Sequence, residues 1–337
     1  MKVAVFSTKS YEREYLDKFN LEAKHELHYF EASLNADTTD LAKGFEAVCV
    51  FVSDKIDEAT IKKLSTNGVK LVDLRSAGFN NVDIGAAVEQ HIKVLRVPAY
   101  SPQAVAEHTV ALILTLNRKT HKAYNRVREG NFSVENLMGF NLYEKTIGVI
   151  GTGKIGAAFC HIMQGFGCNV IAYDIIESDI LKQQGIEYKT LDDVLHESDV
   201  ISLHCPLTPE THHLINSIAF DKMKDGVMLI NTSRGGLIKT SHAIQALKNG
   251  KLGYLGIDVY EQEESLFFKD LSESIIQDDL FERLLAFHNV LITPHQGFFT
   301  KEALDQIAIT TIKNFTDFEQ GLPLENEVKL NTKIKKL

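Results

Sequence analysis

The chain has few cysteines, few basic residues and no long apolar run, and each shortage excludes a class of protein. Its four cysteines are scattered over 337 residues without a C-x-x-C pair, which suits neither a zinc site nor a disulfide framework. We expect these thiols to be reduced and buried. No apolar run approaches the roughly 18 residues that a membrane helix needs, and residues 1–7 form a strand pattern rather than a signal peptide. These shortages predict a cytoplasmic protein without a membrane partner.

Basic residues are outnumbered by acidic ones, 36 to 45, which gives a formal net charge of -9. Such a surface repels a phosphate backbone, so we expect no nucleic-acid partner. The basic residues Lys333, Lys335 and Lys336 form a short tail that we interpret as a solvated terminus. A hydrophobic content of 44% and a charged content of 24% are typical of a globular protein. The length suits two hydrophobic cores better than one.

Short apolar runs alternate with amphipathic stretches in two successive series. The first series has strand-like runs at 3–7, 47–52, 71–74 and 94–97, with helical patterns such as 57–64 and 81–91 between them. The second has six strand-like runs, at 147–150, 170–173, 200–203, 227–231, 255–258 and 290–293. Alternation of this kind predicts an α/β fold of two Rossmann-like or flavodoxin-like domains with parallel sheets and an active-site cleft between them.

Pro98 and Pro102 interrupt the pattern between the two series. We therefore predict a first domain over residues 1–100, which would bind the substrate, and a second over residues 101–299, which would bind a nucleotide. A long helical pattern over 104–128 follows the prolines, and a last one covers 301–320. The segment 300–337 is expected to return to the first domain, because it follows the complete second series.

A glycine-rich turn is the strongest motif. Gly151, Gly153 and Gly156 follow an apolar strand and open a helical stretch. In that context Gly151 allows a tight turn, Gly153 lets a pyrophosphate approach the backbone, and Gly156 lets helix and strand pack closely. The amides and partial positive charge of the helix N-terminus would then bind the phosphates.

An acidic residue completes the motif. Asp174 follows the next strand, eighteen positions beyond Gly156. A carboxylate there accepts hydrogen bonds from the adenosine ribose hydroxyls and repels a 2′-phosphate. The next residues, Ile175 and Ile176, offer no cation to neutralise such a phosphate. The motif therefore predicts NAD rather than NADP.

Polar residues follow three later strands where a doubly wound sheet places its ligands. Arg234 follows one strand, several carboxylates follow the next, and His295 follows the last. An arginine suits the carboxylate of a 2-keto acid, and a histidine suits proton donation to its keto oxygen during hydride transfer. A carboxylate beside that histidine would favour the imidazolium. The set predicts an enzyme acting on a small 2-keto acid.

Each of these residues has a structural alternative. Most of the thirteen histidines should be structural, and we interpret His108 and His204 as core or surface residues. Arg234 could pair with a neighbouring acid, but the glycines at 235 and 236 suggest close backbone approach to a ligand. Spacing leaves the acid open. The candidates are Glu261, Glu263 and Glu264, all in a stretch that could equally be a solvated loop.

The chain resembles the D-isomer-specific 2-hydroxyacid dehydrogenases over essentially its whole length. The resemblance is carried by residues 75–83, 97–102, 106–108, 151–156, 202–208, 231–235, 256–261 and 293–295. Within that family it looks most like the bacterial fermentative D-lactate dehydrogenases. The resemblance implies an NAD-dependent oxidoreductase that is at least a homodimer, and fermentative relatives suggest a homotetramer.

The resemblance also implies residue roles. Arg234 would bind and polarise the substrate, His295 would be the acid/base, and Glu263 would stand behind it. Ala77, Gly78 and Tyr100 would contact the substrate. The implied cofactor contacts, besides the three glycines, are Lys154, Ile155, Asp174, Cys205, Pro206, Thr232, Ser233 and Asp258. At Thr211 the chain departs from the family, whose members often have Asn there, so a cofactor contact at that position is in doubt.

The substrate follows from smaller features. Residues 265–270 and 275–279 look like a loop of D-lactate dehydrogenases, and Phe298 and Phe299 suggest an apolar wall beside a methyl group. The expected reaction is the reversible reduction of pyruvate to D-lactate. Two alternatives stay open. One is a dehydrogenase of larger 2-keto acids. The other is an NADH-sensing binding protein, since C-terminal-binding-protein corepressors resemble this fold.

Overall fold

The chain divides into two α/β units, seen in a computed structural model that describes residues 1–330. One unit comprises Met1–Ser101 together with 299–330, and the other comprises Pro102–Phe298. The basic tail around Lys335 lies outside the described residues. Each unit is built around one parallel sheet.

The first unit has five short strands. They are β1 (Lys2–Val5), β2 (Glu26–Tyr29), β3 (Ala47–Val50), β4 (Leu71–Leu74) and β5 (Lys93–Arg96), in the order β2-β1-β3-β4-β5. Its helices are α1 (Ser10–Asn20), α2 (Glu58–Thr66), α3 (Ile84–Glu89) and α12 (Lys301–Glu319), and a 3-10 helix covers Thr39–Ala42. The central strands read as continuous apolar runs because both faces of the sheet are covered.

Alternate side chains of each strand enter two different cores. One core contains Val48, Val72 and Val94, and the other contains Ala47 and Leu71. The second core also takes Ile312 and Phe315 from α12, so the C-terminal segment packs on this sheet.

The second unit has seven strands. They are β6 (Thr146–Ile150), β7 (Asn169–Tyr173), β8 (Glu187–Tyr188), β9 (Val200–Leu203), β10 (Val227–Asn231), β11 (Leu252–Ile257) and β12 (Val290–Ile292). Its helices are α4 (Pro102–Arg118), α5 (Thr120–Arg128), α6 (Lys154–Gly165), α7 (Asp179–Gln183), α8 (Leu191–Glu197), α9 (Ser217–Lys222), α10 (Thr240–Lys248) and α11 (Asp279–Leu285). Two 3-10 helices cover Gly235–Leu237 and Glu263–Ser265.

The strand order β12-β11-β10-β9-β6-β7-β8 is that of a dinucleotide-binding sheet, with the order reversing beside β6. The carboxyl ends of the strands are level. Asn231 pairs with Ile257, and Ile257 pairs with Ile292, each at the end of its strand. The loops that follow β10, β11 and β12 therefore start side by side, about 4.8 Å apart from one strand to the next.

Two strands were missed by the sequence prediction. Both β2 and β8 lie at sheet edges, carry glutamates (Glu26 and Glu187), and lack fully buried residues. These two strands have no apolar signature because their side chains are exposed or only half-buried. The second sheet therefore has seven strands where six were predicted.

Two predicted helices need correction. The pattern over 104–128 forms two helices, α4 and α5, because Lys119 between them adopts a left-handed φ of 51°. The helix predicted over 81–91 begins only at Ile84, where the Asp83 side chain caps it by accepting a hydrogen bond from the Ala86 amide. The preceding Asn81 is instead bound to the carbonyls of Phe51 and Asp54.

All four cysteines are buried and free, as expected. Within residues 1–330, no helix combines the length and apolar character needed to cross a membrane. The same residues contain no cluster of three or more histidine, cysteine or acidic side chains placed to hold a metal ion.

Candidate active site

The glycine turn joins β6 to α6 and is built by close backbone contacts. Gly151 has φ 94°, and a Cβ there would lie 2.5 Å from the Cys205 amide nitrogen. A Cβ at Gly156 would lie only 2.0 Å from the Gly151 carbonyl oxygen. Both glycines are therefore required by packing within the unit. A Cβ at Gly153 would meet no atom within 4 Å, so protein packing does not explain this glycine.

Gly153 is the N-cap of α6, and its cap lacks a side-chain hydrogen bond. The first amides of a helix have no intrahelical acceptor, so those of Lys154 and Ile155 are oriented toward the turn. An open backbone at the start of a 12-residue helix fits a dinucleotide pyrophosphate.

Asp174 lies directly after β7, beside this turn. Its Oδ2 accepts hydrogen bonds from the Thr152 amide at 2.6 Å and the Thr152 hydroxyl at 3.1 Å. Its Oδ1 accepts from the Ile176 amide at 3.1 Å. The Tyr188 hydroxyl in turn donates to Thr152 Oγ1. The carboxylate is thus held rigidly next to the glycine turn, while Ile176 is exposed and neutral.

The other predicted cofactor residues surround the ends of β9 and β10. Ser233 Oγ donates to the Cys205 carbonyl at 2.7 Å, and Thr232 Oγ1 lies 2.8 Å from Thr109 Oγ1 on α4. Burial raises the pKa of the Cys205 thiol to about 11, so it is protonated at neutral pH. Pro206 is exposed on the same loop. These predicted cofactor residues all follow the carboxyl ends of β9 and β10.

Thr211 has its hydroxyl committed inside its own loop. It donates to the Pro206 carbonyl at 2.7 Å and accepts from the Thr208 amide at 2.8 Å. A hydroxyl engaged in this way shapes the 206–211 turn rather than reaching outward.

Arg234 follows β10 and is half-buried. Its Nη1 donates to the Ser233 carbonyl at 2.6 Å, and its own carbonyl accepts from Asn231 Nδ2. Within residues 1–330 no carboxylate forms an ion pair with Arg234. The guanidinium is therefore available to an anionic ligand.

Of the two glycines behind Arg234, Gly235 is explained by a protein contact, whereas the predicted ligand approach at Gly236 stays a prediction. A Cβ at Gly235 would lie 2.1 Å from the Tyr260 carbonyl, so this glycine exists because two protein backbones meet. At Gly236 a Cβ would meet the Leu207 side chain at 3.1 Å and the His212 ring at 3.6 Å, and no backbone atom is among these nearest neighbours. The absence of a side chain at Gly235 therefore lets the loop that carries Arg234 pack directly against the loop after β11.

His295 and Glu263 form a hydrogen-bonded pair. His295 Nδ1 donates to Glu263 Oε1 at 2.8 Å, because an ionised carboxylate only accepts. The other carboxylate oxygen accepts the Tyr260 amide at 2.9 Å, which fixes its orientation. Among the described residues no hydrogen-bond partner meets His295 Nε2, so this atom is available to a ligand. The His295 ring centre lies 5.8 Å from that of Phe268.

The hydrogen-bond partners distinguish the three candidate acids. Glu263 faces His295, whereas Glu261 accepts from His213 Nε2 at 2.6 Å and from the Thr240 amide at 3.0 Å. Those hydrogen bonds outweigh burial and lower the pKa of the Glu261 carboxyl. Glu261 therefore ties the loop after β11 to the N-terminus of α10, and Glu264 is exposed.

Asp258 organises the turn that carries His295. It accepts hydrogen bonds from the Gln296 and Gly297 amides at 2.9 and 2.8 Å and from the Thr293 hydroxyl. These bonds hold His295 in a left-handed backbone conformation, φ 54°, which is costly for a residue with a Cβ.

His108 was missed by the sequence interpretation, which treated it as an ordinary core or surface residue. Its Nε2 lies 3.2 Å from Asp258 Oδ1 and 3.1 Å from Thr293 Oγ1. Burial alone would raise the pKa of the Asp258 carboxyl, but hydrogen bonds from His108 and Thr293 lower it below its usual value. The only sequence signal for a role of His108 was that it lies in the stretch 106–108, which carries the family resemblance. His204, by contrast, is structural, since its ring packs on Phe159 and burial lowers its pKa to about 3.

In the first unit, a loop follows the end of β4. Arg75 precedes it and is fully buried, with Nε donating to Glu12 Oε1 at 2.9 Å and Nη2 to the Phe6 carbonyl at 3.0 Å. Ala77 and Gly78 follow and are half-buried. Tyr100 is half-buried near the end of Met1–Ser101, the first chain segment of this unit.

The two phenylalanines after His295 differ in environment. Phe298 is buried in the second unit, whereas Phe299 is half exposed in the first unit and meets the Tyr11 ring edge-on at 4.7 Å. Their predicted role as one apolar wall stays a prediction.

The fold and the site together define a nicotinamide-dependent dehydrogenase. A family model described as "D-isomer specific 2-hydroxyacid dehydrogenase, NAD binding domain" matches residues 110–297. The chain is 54% identical to a 2-hydroxyacid dehydrogenase homolog of Haemophilus influenzae, over 97% of this chain and 99% of that protein. It is 53% identical to the D-lactate dehydrogenase of Escherichia coli, over 97% of this chain and 100% of that protein.

A solved structure is also similar over the whole length. The apo-structure of D-lactate dehydrogenase from Escherichia coli matches with a TM-score of 0.89 at 51% identity, covering 98% of this chain and 100% of that one. The chain belongs to the D-isomer-specific 2-hydroxyacid dehydrogenase family. It is an NAD-dependent oxidoreductase with two parallel-sheet domains.

Proposed function

We propose that the protein is a fermentative D-lactate dehydrogenase that reduces pyruvate to D-lactate with NADH. The observation that carries this proposal is that Arg234, which forms no ion pair within residues 1–330, follows β10, while the hydrogen-bonded Glu263 and His295 follow β11 and β12. The ends of these three strands are level in one sheet. The 53% sequence identity of the chain to the Escherichia coli D-lactate dehydrogenase supports pyruvate as the substrate.

NADH supplies the hydride when it is bound, and the protein binds, orients and protonates the substrate. Arg234 grips the carboxylate and polarises the keto group, with the amides of Ala77 and Gly78 and the side chain of Tyr100 as further contacts. Protonated His295 donates its Nε2 proton to the keto oxygen as negative charge develops there. Glu263 accepts the hydrogen bond from His295 Nδ1 and holds the ring in place.

The cofactor would be held by the residues that surround the glycine turn. Its phosphates would meet the amides that follow Gly153, and Asp174 would bind the adenosine ribose. Lys154, Ile155, Cys205, Pro206, Thr232, Ser233 and Asp258 complete the proposed cofactor contacts. The fit rests on the open backbone at Gly153 and on the rigid Asp174 carboxylate.

A panel of 2-keto acids tests the proposal. With purified protein and NADH, we expect the highest kcat/KM for pyruvate, lower values for branched and aromatic 2-keto acids, and D-lactate as the product on a chiral column. NADPH should be a poor substitute for NADH. Preference for a larger 2-keto acid would favour the first alternative, and binding of NADH without turnover would favour a sensing protein.

We also propose that the protein acts in the cytoplasm as a homodimer or homotetramer. Helix α5 has no buried residue, and the segment after it exposes Phe132, Val134 and Met138 by 76%, 81% and 85%. Exposed apolar side chains clustered in this way mark an interaction surface. The four buried free thiols suit a reducing compartment.

Replacing Val134 and Met138 together by glutamate should shift the protein toward the 37.7 kDa monomer in size-exclusion chromatography with light scattering. Charges buried in an apolar interface oppose association. Ile275→Glu is a matched control, since Ile275 is 84% exposed on a different loop of the same unit. A double variant that keeps the wild-type mass would place the interface elsewhere.

A further inference from the structure

The loop 76–79 in the first unit presents three consecutive backbone amides without partners. Within residues 1–330, the amides of Ala77, Gly78 and Phe79 donate no hydrogen bond to the protein. Ala77 and Gly78 are partly exposed, so their amides can be reached by a ligand. Successive free amides form a concave site for an anion.

The carbonyls of the same peptides are all engaged. Arg96 Nη1 donates to the Ala77 carbonyl at 2.6 Å, and Ser76 Oγ donates to the Gly78 carbonyl at 2.8 Å. In a trans peptide the C=O and the following N–H point in opposite directions. By holding the Ala77 carbonyl, Arg96 therefore turns the Gly78 amide away from itself.

Arg96 is well supported for this task. It ends β5, where it pairs in register with Leu74 at the end of β4, next to the start of the loop. Its carbonyl accepts a hydrogen bond from Asn314 Nδ2, and its guanidinium carbon lies 5.1 Å from the centre of the Phe79 ring. Within residues 1–330 it forms no ion pair. Its charge is therefore not neutralised locally.

We propose that Arg96 is a positioning residue that orients the Gly78 amide for the carboxylate of the 2-keto acid. This inference rests on the proposed function. Glycine at position 78 leaves the loop peptide free to rotate, and an unheld peptide would have to be ordered on binding. Arg96 removes that cost in advance and adds a positive charge beside the carboxylate.

The test is a kinetic comparison of Arg96→Met with wild type. The variant keeps the length of the side chain but loses the hydrogen bond and the charge. We expect KM for pyruvate to rise about 10-fold, as for the loss of one hydrogen bond, with kcat changed less than about 3-fold. KM for NADH should not change. Arg96→Lys restores one donor and should recover most of the loss.

Two controls separate positioning from a general structural effect. Lys93→Met removes a cation three residues earlier on the same strand, where Lys93 pairs with Glu327, and should leave KM unchanged. Methyl pyruvate lacks the carboxylate charge, so its kcat/KM should be nearly insensitive to Arg96→Met. Equal losses for pyruvate and its methyl ester, or an unchanged KM for pyruvate, would overturn the inference.

Binding of oxamate, a carboxylate analogue of pyruvate, to the NADH-loaded protein gives a readout that does not need turnover. Arg96→Met should raise its Kd about 10-fold. Normal pyruvate reduction with unchanged oxamate binding would refute the role of Arg96 and leave the proposed function intact. If oxamate binding depends on Arg96 but the wild-type protein does not turn over pyruvate, the proposed function is refuted and the role of Arg96 stands.

Discussion

Replacing His295 by glutamine is expected to lower kcat for pyruvate reduction by about 10²–10⁴-fold, the range that a positioned general acid contributes. Glutamine keeps a hydrogen-bonding side chain but cannot deliver a proton as charge develops on the keto oxygen. KM for NADH should stay near its wild-type value, because the glycine turn and Asp174 are untouched. Steady-state kinetics at saturating NADH give the answer.

Glu263→Gln is the companion variant. Glutamine loses the charged acceptor of the 2.8 Å hydrogen bond from His295 Nδ1, so the ring is held less firmly and kcat for pyruvate reduction should fall about 10-fold. Glu261→Gln removes a charge two residues away, where the carboxylate faces His213 rather than His295. It should leave kcat near its wild-type value. Full activity in His295→Gln, or equal kcat values for both glutamate variants, would remove the pair from the mechanism.

Asp174→Ala is expected to raise the kcat/KM ratio of NADPH to NADH by at least roughly 5-fold. The carboxylate stands where a 2′-phosphate would lie, and repulsion between like charges at that range is worth about 1–4 kcal/mol. The measurement compares kcat/KM for both cofactors at saturating pyruvate. NADH itself should bind less well, since the ribose loses its acceptor.

Glu177→Ala is the matched control for this variant. Glu177 follows on the same loop and pairs with Lys182 at 2.6 Å, away from the glycine turn. Its removal changes the net charge equally and should leave the cofactor preference unchanged. A wild-type protein that uses NADPH as well as NADH would contradict the role of Asp174 outright.

The cofactor turn was predictable because its chemistry is local. Gly151, Gly156 and Asp174 belong to one strand–turn–helix–strand unit, and the positive φ of Gly151, the Gly151–Gly156 contact and the position of Asp174 all lie within about twenty-five residues. Even so, the role of Gly153 differs from that of its neighbours for a reason only coordinates reveal. Its missing Cβ leaves open space, whereas those of Gly151 and Gly156 avoid backbone clashes.

Features that depend on distant contacts were not predictable. His108 meets Asp258 across 150 positions of sequence, and nothing in its neighbourhood announces that contact. Gly235 was interpreted as a ligand-facing residue, but it is required by the backbone of Tyr260. The edge strands β2 and β8 lacked an apolar signature, because their side chains are exposed or only half-buried.

The amino-acid sequence by itself determined two parallel α/β sheets, the nucleotide turn and the strand ends that carry Arg234 and His295, because apolar periodicity and turn chemistry act over short stretches of chain. Tertiary structure alone decided which of three neighbouring glutamates faces His295, what holds that residue in its left-handed conformation, and how Arg96 orients the Gly78 peptide. Those choices depend on contacts between segments far apart in the chain, whose relative positions are set only when the sheets and their loops pack together.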